Sequence, residues 1–470
     1  MKIEQIYTGC LAHAAYYIEN EGEAAVFDPL REVQPYLNRA AKDNAKIKYV
    51  FETHFHADFV SGHLDLSAKT GAKIVFGPNA KPDYDAIIAT DGQEFKLGKY
   101  TVKALHTPGH TMESTTYLLI DENDRKYGII TGDTLFIGDV GRPDLARHVV
   151  VELTQEKLAR HLFHSLREKI MPLPDDLIVY PNHGAGSACG KKMSKETTDT
   201  LGNQKKTNYA LRADMTEDAF VAELLNGLTP PPGYFPKNVV MNMKGYQSLD
   251  IILNRAKRPL TATEFEGMAN LTEALILDVR NPEVFAKGFI PNSINIGLNG
   301  SFAAWVGEMI TNIDQKILLV TAPGQEEEAM IRLSRVGYDH TIGYLSGGYD
   351  AWVAANKPFE TIVRITAADF EKYYDQDIAV FDVRKTSEYN AEHILGAISV
   401  PLHSIYNNLG IFPKDRKFIL YCAGGYRSII GASILKQSGY DGFVDVTGGY
   451  TEISKTGVPR TEYIYPISLL

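Results

Sequence analysis

The sequence predicts an α/β protein of several domains, and three observations lead to this prediction. The chain has 470 residues, which is too many for a single hydrophobic core. Residues 1 to about 200 alternate short β-rich runs with Gly, Asp and Pro breaks. The last part, about 210 residues, contains an internal repeat of about 100 residues. We therefore expect one N-terminal α/β domain followed by two similar α/β domains with parallel sheets.

The composition excludes several classes of protein. Hydrophobic residues make up 44% and charged residues 23% of the chain, as in ordinary soluble proteins. No window approaches the roughly 18 consecutive apolar residues of a transmembrane helix, and the N-terminus lacks the apolar core of a signal peptide. We therefore expect a cytoplasmic protein. A net charge of −10 argues against nucleic acid and against an anionic membrane surface as partners.

The three cysteines, Cys10, Cys189 and Cys422, lie far apart in the sequence and are odd in number. This pattern suits a reducing compartment and argues against a disulfide framework. Cys189, which follows His183 closely, is the better candidate of the first two for a role with substrate or in redox chemistry. A thiol without a role is the simpler interpretation for both Cys10 and Cys189.

A connector separates the N-terminal domain from the repeat. Residues 214–226 show the apolar spacing of a helix with acidic residues at its start, and Gly227 follows. Pro230-Pro231-Pro232-Gly233 then predicts a semi-rigid segment. The predicted divisions are a domain at residues 1–213, a helix and Pro-rich connector at 214–259, and two repeat units at 260–360 and 366–470.

The repeat is visible in three blocks that recur in the same order. Residues 274–285 resemble 379–390, residues 316–324 resemble 417–425, and residues 344–352 resemble 445–453. Chance similarity of two unrelated α/β segments does not explain blocks that recur in order.

Candidate metal ligands stand in the N-terminal domain. The segment KYVFETH predicts a buried strand that ends at His54, and His54, His56 and Asp58 alternate after it. On an extended segment these side chains project from one face. Imidazoles and a carboxylate on one face form a chelating arrangement suited to Zn or Fe. A polar surface loop is the alternative.

Further candidate ligands weaken that alternative. His110 follows a strand and a Pro-Gly turn, Asp133 ends the strand that includes YGII, and His183 ends the strand LIVY. Sites of open sheets gather at such strand ends. Four strand ends each supply a His or an Asp, and packing of the core does not readily explain polar residues at all four positions.

The N-terminal domain contains, in this order, the motifs His-x-His-x-Asp, Gly-His, Gly-Asp and His-Gly. This series resembles the ligand series of the metallo-β-lactamase superfamily. The resemblance covers residues 1 to about 200 and implies an αββα sandwich with the metal site at one edge. Members of the superfamily include lactamases, glyoxalase II, nucleases, flavodiiron proteins and persulfide dioxygenases. The fold therefore does not fix the chemistry.

One departure from the superfamily pattern concerns the number of metals. Members with two metals usually carry a His after the Asp of the motif, whereas Asp58 is followed by Phe59, which cannot ligate. One metal per chain is therefore expected. The resemblance to persulfide dioxygenases implies Fe(II) on His54, His110 and Asp133, a set typical of non-haem iron oxygenases, with Zn as the alternative or as-purified metal.

The remaining polar residues of these motifs are expected to support the metal ligands. His56, Asp58 and His183 would orient the ligands or be the remnant of a second metal site. His56 and Asp58 are also candidate catalytic residues. Arg142, in a Gly-Arg-Pro-Asp segment that looks like the persulfide dioxygenases, is a candidate anion clamp for substrate. An ordinary surface Arg is the alternative.

The last repeat unit contains a cysteine loop between an apolar strand and a helix. Glycines let the backbone N–H groups curl around Cys422, and the helix adds its positive N-terminal end. Both effects favour a nucleophilic thiolate, whereas a buried core cysteine is the alternative. The predicted catalytic pair is Cys422 and Arg427, and the loop comprises Cys422, Ala423, Gly424, Gly425, Tyr426 and Arg427.

This loop, with Asp382-Val383-Arg384, His393-x-x-Gly396-Ala397 and Gly448-Gly449-Tyr450, resembles a rhodanese domain. The resemblance implies a persulfide on Cys422. The Cys-x4-Arg spacing favours sulfur transfer over the Cys-x5-Arg spacing of cysteine phosphatases. The first unit keeps Asp278-Val279-Arg280 and Gly347-Gly348-Tyr349 but has Thr321 at the cysteine position, so we expect it to be catalytically silent.

Together, the two resemblances imply a persulfide dioxygenase–rhodanese fusion that acts in sulfide oxidation. It would use Fe(II) and O2 to oxidise a glutathione or coenzyme A persulfide to sulfite, and Cys422 would exchange sulfur with sulfite and thiosulfate. The alternatives are a Zn-dependent thioester hydrolase of the glyoxalase II type with rhodanese modules and a non-enzymatic sulfur carrier or scaffold. The sequence leaves open the thiol, the direction of transfer, the distance from Cys422 to the metal, and the oligomeric state, a homo-oligomer included.

Overall fold

A computed structural model of the chain describes residues 2–144, 153–228, 230–374 and 378–464. The chain divides into two compact units, of which the first comprises Met1–Ile251 and Ile331–Tyr338 and the second comprises Ile252–Met330 and Asp339–Leu470. Residues 465–470, the end of the predicted last domain, lie outside the described residues. In the described ranges no helix is long and apolar enough to cross a membrane.

The first unit contains two six-stranded sheets. In the first sheet the order is β1-β2-β3-β4-β5-β6, with β1, β2 and β3 antiparallel and β3 to β6 parallel. In the second the order is β12-β11-β10-β9-β8-β7, and only β10 and β11 pair in parallel. The strands are β1 Lys2–Thr8, β2 His13–Asn20, β3 Glu23–Phe27, β4 Lys46–Phe51, β5 Lys73–Phe76, β6 Ile87–Ile88, β7 Glu94–Leu97, β8 Tyr100–His106, β9 Thr115–Ile120, β10 Lys126–Gly132, β11 Ile178–Pro181 and β12 Asp199–Thr200.

Helices cover the outer faces of these sheets. Residues of α1 and α2 pack on the first sheet, and residues of α3 and α5 pack on the second. A π-helical turn, Ser165–Ile170, follows α3, and a 3-10 turn, Tyr209–Leu211, follows α4. The helices are α1 Gln34–Lys42, α2 His63–Thr70, α3 Gln155–His164, α4 Leu201–Thr207, α5 Glu217–Leu225, α6 Phe235–Lys244 and α7 Leu249–Ala256.

Strand β2 shows why the sequence folds into these layers. Its residues Ala14, Tyr16 and Ile18 lie in the core between the two sheets. The alternate residues Ala15 and Tyr17 face the helices α1 and α2. Because both faces of the strand are apolar, the sheet must be covered on both sides. The predicted αββα sandwich is therefore confirmed.

The second unit contains two five-stranded parallel sheets with equivalent strand orders, β13-β17-β16-β14-β15 and β18-β22-β21-β19-β20. This matches the predicted pair of α/β domains with parallel sheets. The strands are β13 Pro259–Leu260, β14 Leu275–Asp278, β15 Ile294–Asn295, β16 Ile317–Val320, β17 Thr341–Leu345, β18 Arg364–Ile365, β19 Ala379–Asp382, β20 Ile398–Ser399, β21 Phe418–Tyr421 and β22 Phe443–Val446.

Helices alternate with these strands, as expected for parallel pairing. Thr261 begins α8 with a capping box to Glu264, the expected start signal. The helices are α8 Ala262–Thr272, α9 Pro282–Phe285, α10 Phe302–Met309, α11 Glu326–Arg335, α12 Gly348–Ala354, α13 Ala367–Tyr373, α14 Thr386–Ala391, α15 Tyr426–Gln437 and α16 Gly449–Ile453, with a 3-10 segment at Leu402–Ile411.

Two local expectations need correction. Strand β4 ends at Phe51, three residues before the predicted end at His54, because the chain bends in the following loop. The connector also holds more structure than a Pro-rich spacer, since α6 lies within it. The predicted helix near residues 214–226 is present as α5, which Thr216 caps by accepting a hydrogen bond from Ala219 N.

Candidate metal centre and cysteine loop

The candidate ligands of the first unit all stand on loops that follow strands. His54 lies just beyond β4, His110 beyond β8, Asp133 directly after β10, and His183 after β11. All four side chains are buried, with at most 2% of each residue exposed. A polar surface loop, the alternative interpretation of this motif, is therefore excluded.

His54, His110 and Asp133 form one group. Their candidate ligand atoms all lie within 4.8 Å of one another. His110 Nε2 is 3.4 Å from Asp133 Oδ2. The structure therefore brings together the three residues expected to hold the metal.

Hydrogen bonds orient both imidazoles of this group. His54 Nδ1 donates to Thr53 Oγ1 at 3.0 Å, since that hydroxyl itself donates to Asp28. His110 Nδ1 donates to the Arg142 carbonyl at 2.7 Å. Each ring therefore keeps the lone pair of Nε2 available, the usual arrangement behind a metal-bound histidine.

The electrostatics of the group fit a divalent metal. Burial, followed by the neighbouring histidines, holds the pKa of His54 well below its ordinary value, so the ring is neutral and can ligate. Both carboxylate oxygens of Asp133 are buried without a hydrogen-bond partner among the residues that the structure describes. A buried carboxylate in that state is costly unless it is compensated, and a bound cation compensates it.

His54, His56 and Asp58 do not share one face, contrary to the sequence expectation. The loop that carries them is bent rather than extended, so each side chain enters a different group. His56 Nε2 lies 2.9 Å from Asp28 and 3.2 Å from Glu52. Burial alone would lower the pKa of His56, but these two carboxylates raise this pKa well above its ordinary value. A protonated ring cannot bind a metal, so this geometry gives His56 a supporting place.

Asp58, His183 and Cys189 form the second group. Their candidate ligand atoms also lie within 4.8 Å of one another. His183 Nδ1 lies 3.2 Å from the carbonyl of Ala12, to which it donates, and the backbones of His13 and His183 form an isolated antiparallel bridge. Burial raises the pKa of the Cys189 thiol well above its usual value.

Arg142 is placed differently from the expected anion clamp. Its guanidinium is buried and pairs with both carboxylate oxygens of Asp144, at 2.5 and 2.6 Å. The positive charge is therefore already compensated, and the backbone carbonyl of Arg142 holds His110. The backbone of this residue thus orients a candidate ligand, and the anion-clamp role of its side chain stays a prediction.

The sequence interpretation missed Asn242, on α6 of the connector. Its amide nitrogen donates to the carbonyls of His56 and Phe59, both at 2.8 Å, and its oxygen accepts from Ser61 N at 2.9 Å. One buried side chain thus fixes the bent loop from both ends. A lone Asn in a helix about 185 residues from the motif carries no sequence signal of this role.

Cys10 lies outside both groups. Within the first unit its sulfur accepts a hydrogen bond from Arg335 Nη1 at 3.5 Å. Arg335 also pairs with Glu32. The sulfur is thus part of a local polar contact, and neither of the two groups near the candidate ligands includes it.

In the second unit, the cysteine loop has the predicted curled form. Cys422 Sγ accepts a hydrogen bond from Gly425 N at 3.1 Å, and α15 begins at the next residue, Tyr426. Gly425 has a φ of 94°, which glycine adopts without strain. The loop therefore directs a backbone N–H at the sulfur.

Arg427 is held beside this loop by an acidic partner. Its guanidinium makes a bidentate pair with Glu388, at 2.6 and 2.8 Å. The pair fixes the side chain and compensates part of its charge. The side chain of Arg427 is thus held in place on the first turn of α15, and the predicted catalytic role of Cys422 and Arg427 stays a prediction.

Comparisons with known proteins agree with this architecture. The model of the metallo-β-lactamase superfamily matches residues 8–183, and the model of the rhodanese-like domain matches residues 261–355 and 366–456. A crystal structure of a metallo-β-lactamase from Staphylococcus aureus is 31% identical, covers 74% of this chain and 99% of that chain, and superposes with a TM-score of 0.63.

Two curated relatives carry different activities in their names. The human mitochondrial persulfide dioxygenase ETHE1 is 32% identical over 163 residues, which are 34% of this chain and 59% of that protein. The hydroxyacylglutathione hydrolase GloC of Haemophilus influenzae is 28% identical over 196 residues, which are 37% of this chain and 86% of that protein. The chain belongs to the metallo-β-lactamase superfamily, as a member whose metal domain is followed by two rhodanese-like domains.

Proposed function

We propose that this protein is a persulfide dioxygenase fused to a rhodanese. The observation that carries the proposal is the buried group of two histidines and one carboxylate, His54, His110 and Asp133. A metal held by these three residues would keep coordination positions open for two reactants, as in non-haem iron oxygenases. A sulfur-handling cysteine loop in the same chain supports a sulfur substrate.

The overall reaction converts a low-molecular-weight persulfide, O2 and water into the thiol and sulfite. One Fe(II) per chain, when bound, would supply the activation of O2 and of the terminal sulfur. His54, His110 and Asp133 would hold it, and Thr53 and the Arg142 carbonyl fix the ring orientations of His54 and His110. Burial of all three ligands keeps bulk water away from them.

The rhodanese step uses Cys422. In the thiosulfate-forming direction the thiolate attacks the outer sulfur of a persulfide, the S–S bond to the thiol breaks, and the thiolate leaves. Sulfite then attacks the outer sulfur of the Cys422 persulfide, and thiosulfate leaves as the second S–S bond breaks. The N–H of Gly425 and the N-terminus of α15 stabilise the anionic sulfur at each stage.

The test is anaerobic reconstitution with Fe(II), followed by O2 uptake with glutathione persulfide or coenzyme A persulfide. We expect one sulfite per O2 consumed, and loss of both in His110→Ala. Cys422→Ser should still consume O2 and form sulfite but should form no thiosulfate. O2 uptake that persists in His110→Ala would contradict the proposal.

A second candidate is a Zn-dependent thioester hydrolase, which the similarity to hydroxyacylglutathione hydrolases favours. This candidate needs two metals, and Phe59 stands where such enzymes usually carry a histidine. Hydrolysis of a glutathione thioester by the Zn-loaded protein, without O2 uptake by the iron form, would establish it. A non-enzymatic sulfur carrier would instead keep its sulfite output in His110→Ala and lose all sulfur exchange in Cys422→Ser.

A further inference from the structure

We infer that residues Ile331–Tyr338 form a strap that positions the loop of candidate metal ligands. By sequence the strap belongs to the first rhodanese-like domain, which the family model matches over residues 261–355, but by packing it belongs to the first compact unit. The inference rests on the proposed metal site and adds positioning residues to it. It also gives a role to the repeat that lacks the reactive cysteine.

The strap consists of the C-terminal end of α11 and the turn that follows. The last carbonyl groups of a helix have no partner within the helix. Here the carbonyl of Ser334 accepts from Arg31 Nη1 at 2.8 Å, and the carbonyl of Arg335 accepts from Val60 N at 2.7 Å. Residues of the metal domain therefore cap the end of this helix.

The bond from Val60 reaches the loop of candidate ligands directly. Val60 is fully buried and stands between Phe59 and Ser61, the two residues that Asn242 binds at this end of the loop. Two segments distant in sequence, α6 and the strap, thus fix the same short stretch of chain. Loss of the bond to Arg335 should loosen this stretch and, with it, the orientation of the ligands.

A buried arginine ties the strap to the rest of the unit. Arg31 is 0% exposed, and its Nη2 donates to the carbonyl of Gln247 at 3.0 Å. Its guanidinium lies 4.8 Å from the centre of the Tyr246 ring, and the Tyr246 hydroxyl donates to the carbonyl of Ser61. The negative end of the α11 dipole stabilises this buried cation. Displacement of the strap would remove that stabilisation, which is costly for a buried charge.

The side chain of Arg335 provides a second anchor. It makes a bidentate pair with Glu32, in which Nε lies 3.0 Å from Oε2 and Nη2 contacts Oε1. Only 14% and 16% of the two side chains are exposed. The pair fixes the residue whose carbonyl binds Val60. Neither side chain belongs to the group of candidate ligands, so both can be changed without removing a ligand.

The first experiment measures amide hydrogen exchange in the full chain without metal. Arg335→Gln should speed exchange of the Val60 N–H about tenfold, because the carbonyl that protects it is no longer fixed. Glu32→Gln should have the same effect. The double variant should exchange no faster than either single variant, since both lose the same pair.

A matched control is Lys357→Gln, which loses an ion pair with Glu266 elsewhere in the first rhodanese-like domain. This variant should leave exchange at Val60 unchanged. Arg335→Lys keeps the charge and guards against a folding defect in Arg335→Gln, and it should speed exchange by a smaller factor. Exchange at Val60 that stays unchanged in both Arg335 variants would overturn the inference.

The second experiment titrates the same metal-free proteins anaerobically with Co(II). Arg335→Gln should bind the first equivalent about tenfold more weakly and change the visible d–d band, which reports ligand geometry. Lys357→Gln should bind Co(II) as the unaltered chain does. Faster exchange at Val60 without weaker Co(II) binding would overturn the inference, because the strap would then only stabilise the fold. Neither measurement involves O2, so the proposed function is tested separately.

Discussion

The two rhodanese-like domains of the second unit share a framework but differ at one loop. In both, an aspartate at the end of the first central strand accepts from the arginine two residues later: Asp278 from Arg280, and Asp382 from Arg384. That arginine also donates to a backbone carbonyl, of Gly288 in one domain and Glu392 in the other. These shared hydrogen bonds therefore stabilise the framework of both domains at the ends of the strands, and they do not account for a catalytic difference.

The difference lies in the loops after the strands β16 and β21. Cys422 Sγ receives the N–H of Gly425, whereas the hydroxyl of Thr321 is buried and has no hydrogen-bond partner in the described structure. Pro323 removes an N–H from the first loop. The helix α11 then starts with three glutamates, where α15 starts with Tyr-Arg. The fold is thus preserved independently of the reactive loop.

The largest effect should come from exchanging the reactive side chains. Cys422→Ser should reduce thiosulfate formation to the rate without protein, because a hydroxyl cannot carry a persulfide. Thr321→Cys in the Cys422→Ser background should restore no thiosulfate formation, since Pro323 removes one N–H from its loop and glutamates begin its helix. Thiosulfate formed from persulfide and sulfite measures both. Activity of the Thr321→Cys protein in the Cys422→Ser background would show that the frame alone suffices.

A medium effect is expected at the second glycine of each Gly-Gly-Tyr motif. A Cβ at Gly449 would lie 2.2 Å from the Cys422 carbonyl, and one at Gly348 would lie 2.8 Å from the Thr321 carbonyl. Both glycines have a left-handed φ, 53° and 63°. Gly449→Ala and Gly348→Ala should each cost about 1–3 kcal/mol of unfolding free energy.

Only the Gly449→Ala change should reduce sulfur transfer, by about a hundredfold, because it shifts the backbone of the reactive loop. Denaturant unfolding and the thiosulfate assay, run side by side, separate the two effects. An equal loss of transfer in Gly348→Ala would show that the silent domain shapes the reaction.

The smallest effect concerns a bond between the two domains. Tyr426 Oη donates to the Gly297 carbonyl at 2.7 Å, so the reactive loop rests on the silent domain. Tyr426→Phe should lower the unfolding free energy by about 1 kcal/mol. It should also lower the rate of thiosulfate formation about fivefold. Tyr440→Phe loses a similar bond, to Leu409 within one domain, and should lower the stability alone. If both variants transfer sulfur at the original rate, the domains are independent in catalysis.

Sequence reasoning succeeded where a feature is local. Strand-end positions predicted that His54, His110 and Asp133 lie together, and β-rich runs between Gly, Asp and Pro breaks predicted the sheets. It failed where packing between distant segments sets the geometry of a loop. The bend that separates His54 from His56 is held by Asn242, far along the chain. Cys189 joins Asp58 and His183 without a recognisable spacing.

The contact between Ala12 and His183 has a consequence for how the protein is made. His183 Nδ1 donates to a carbonyl that lies 171 residues earlier in the chain. His54 leaves the ribosome long before His183, so the anchor of the last histidine forms only after the chain has been synthesised as far as residue 183. Such distant contacts close late in folding. The part of the candidate site that contains His183 should therefore assemble after the first strands of this unit rather than guide their folding.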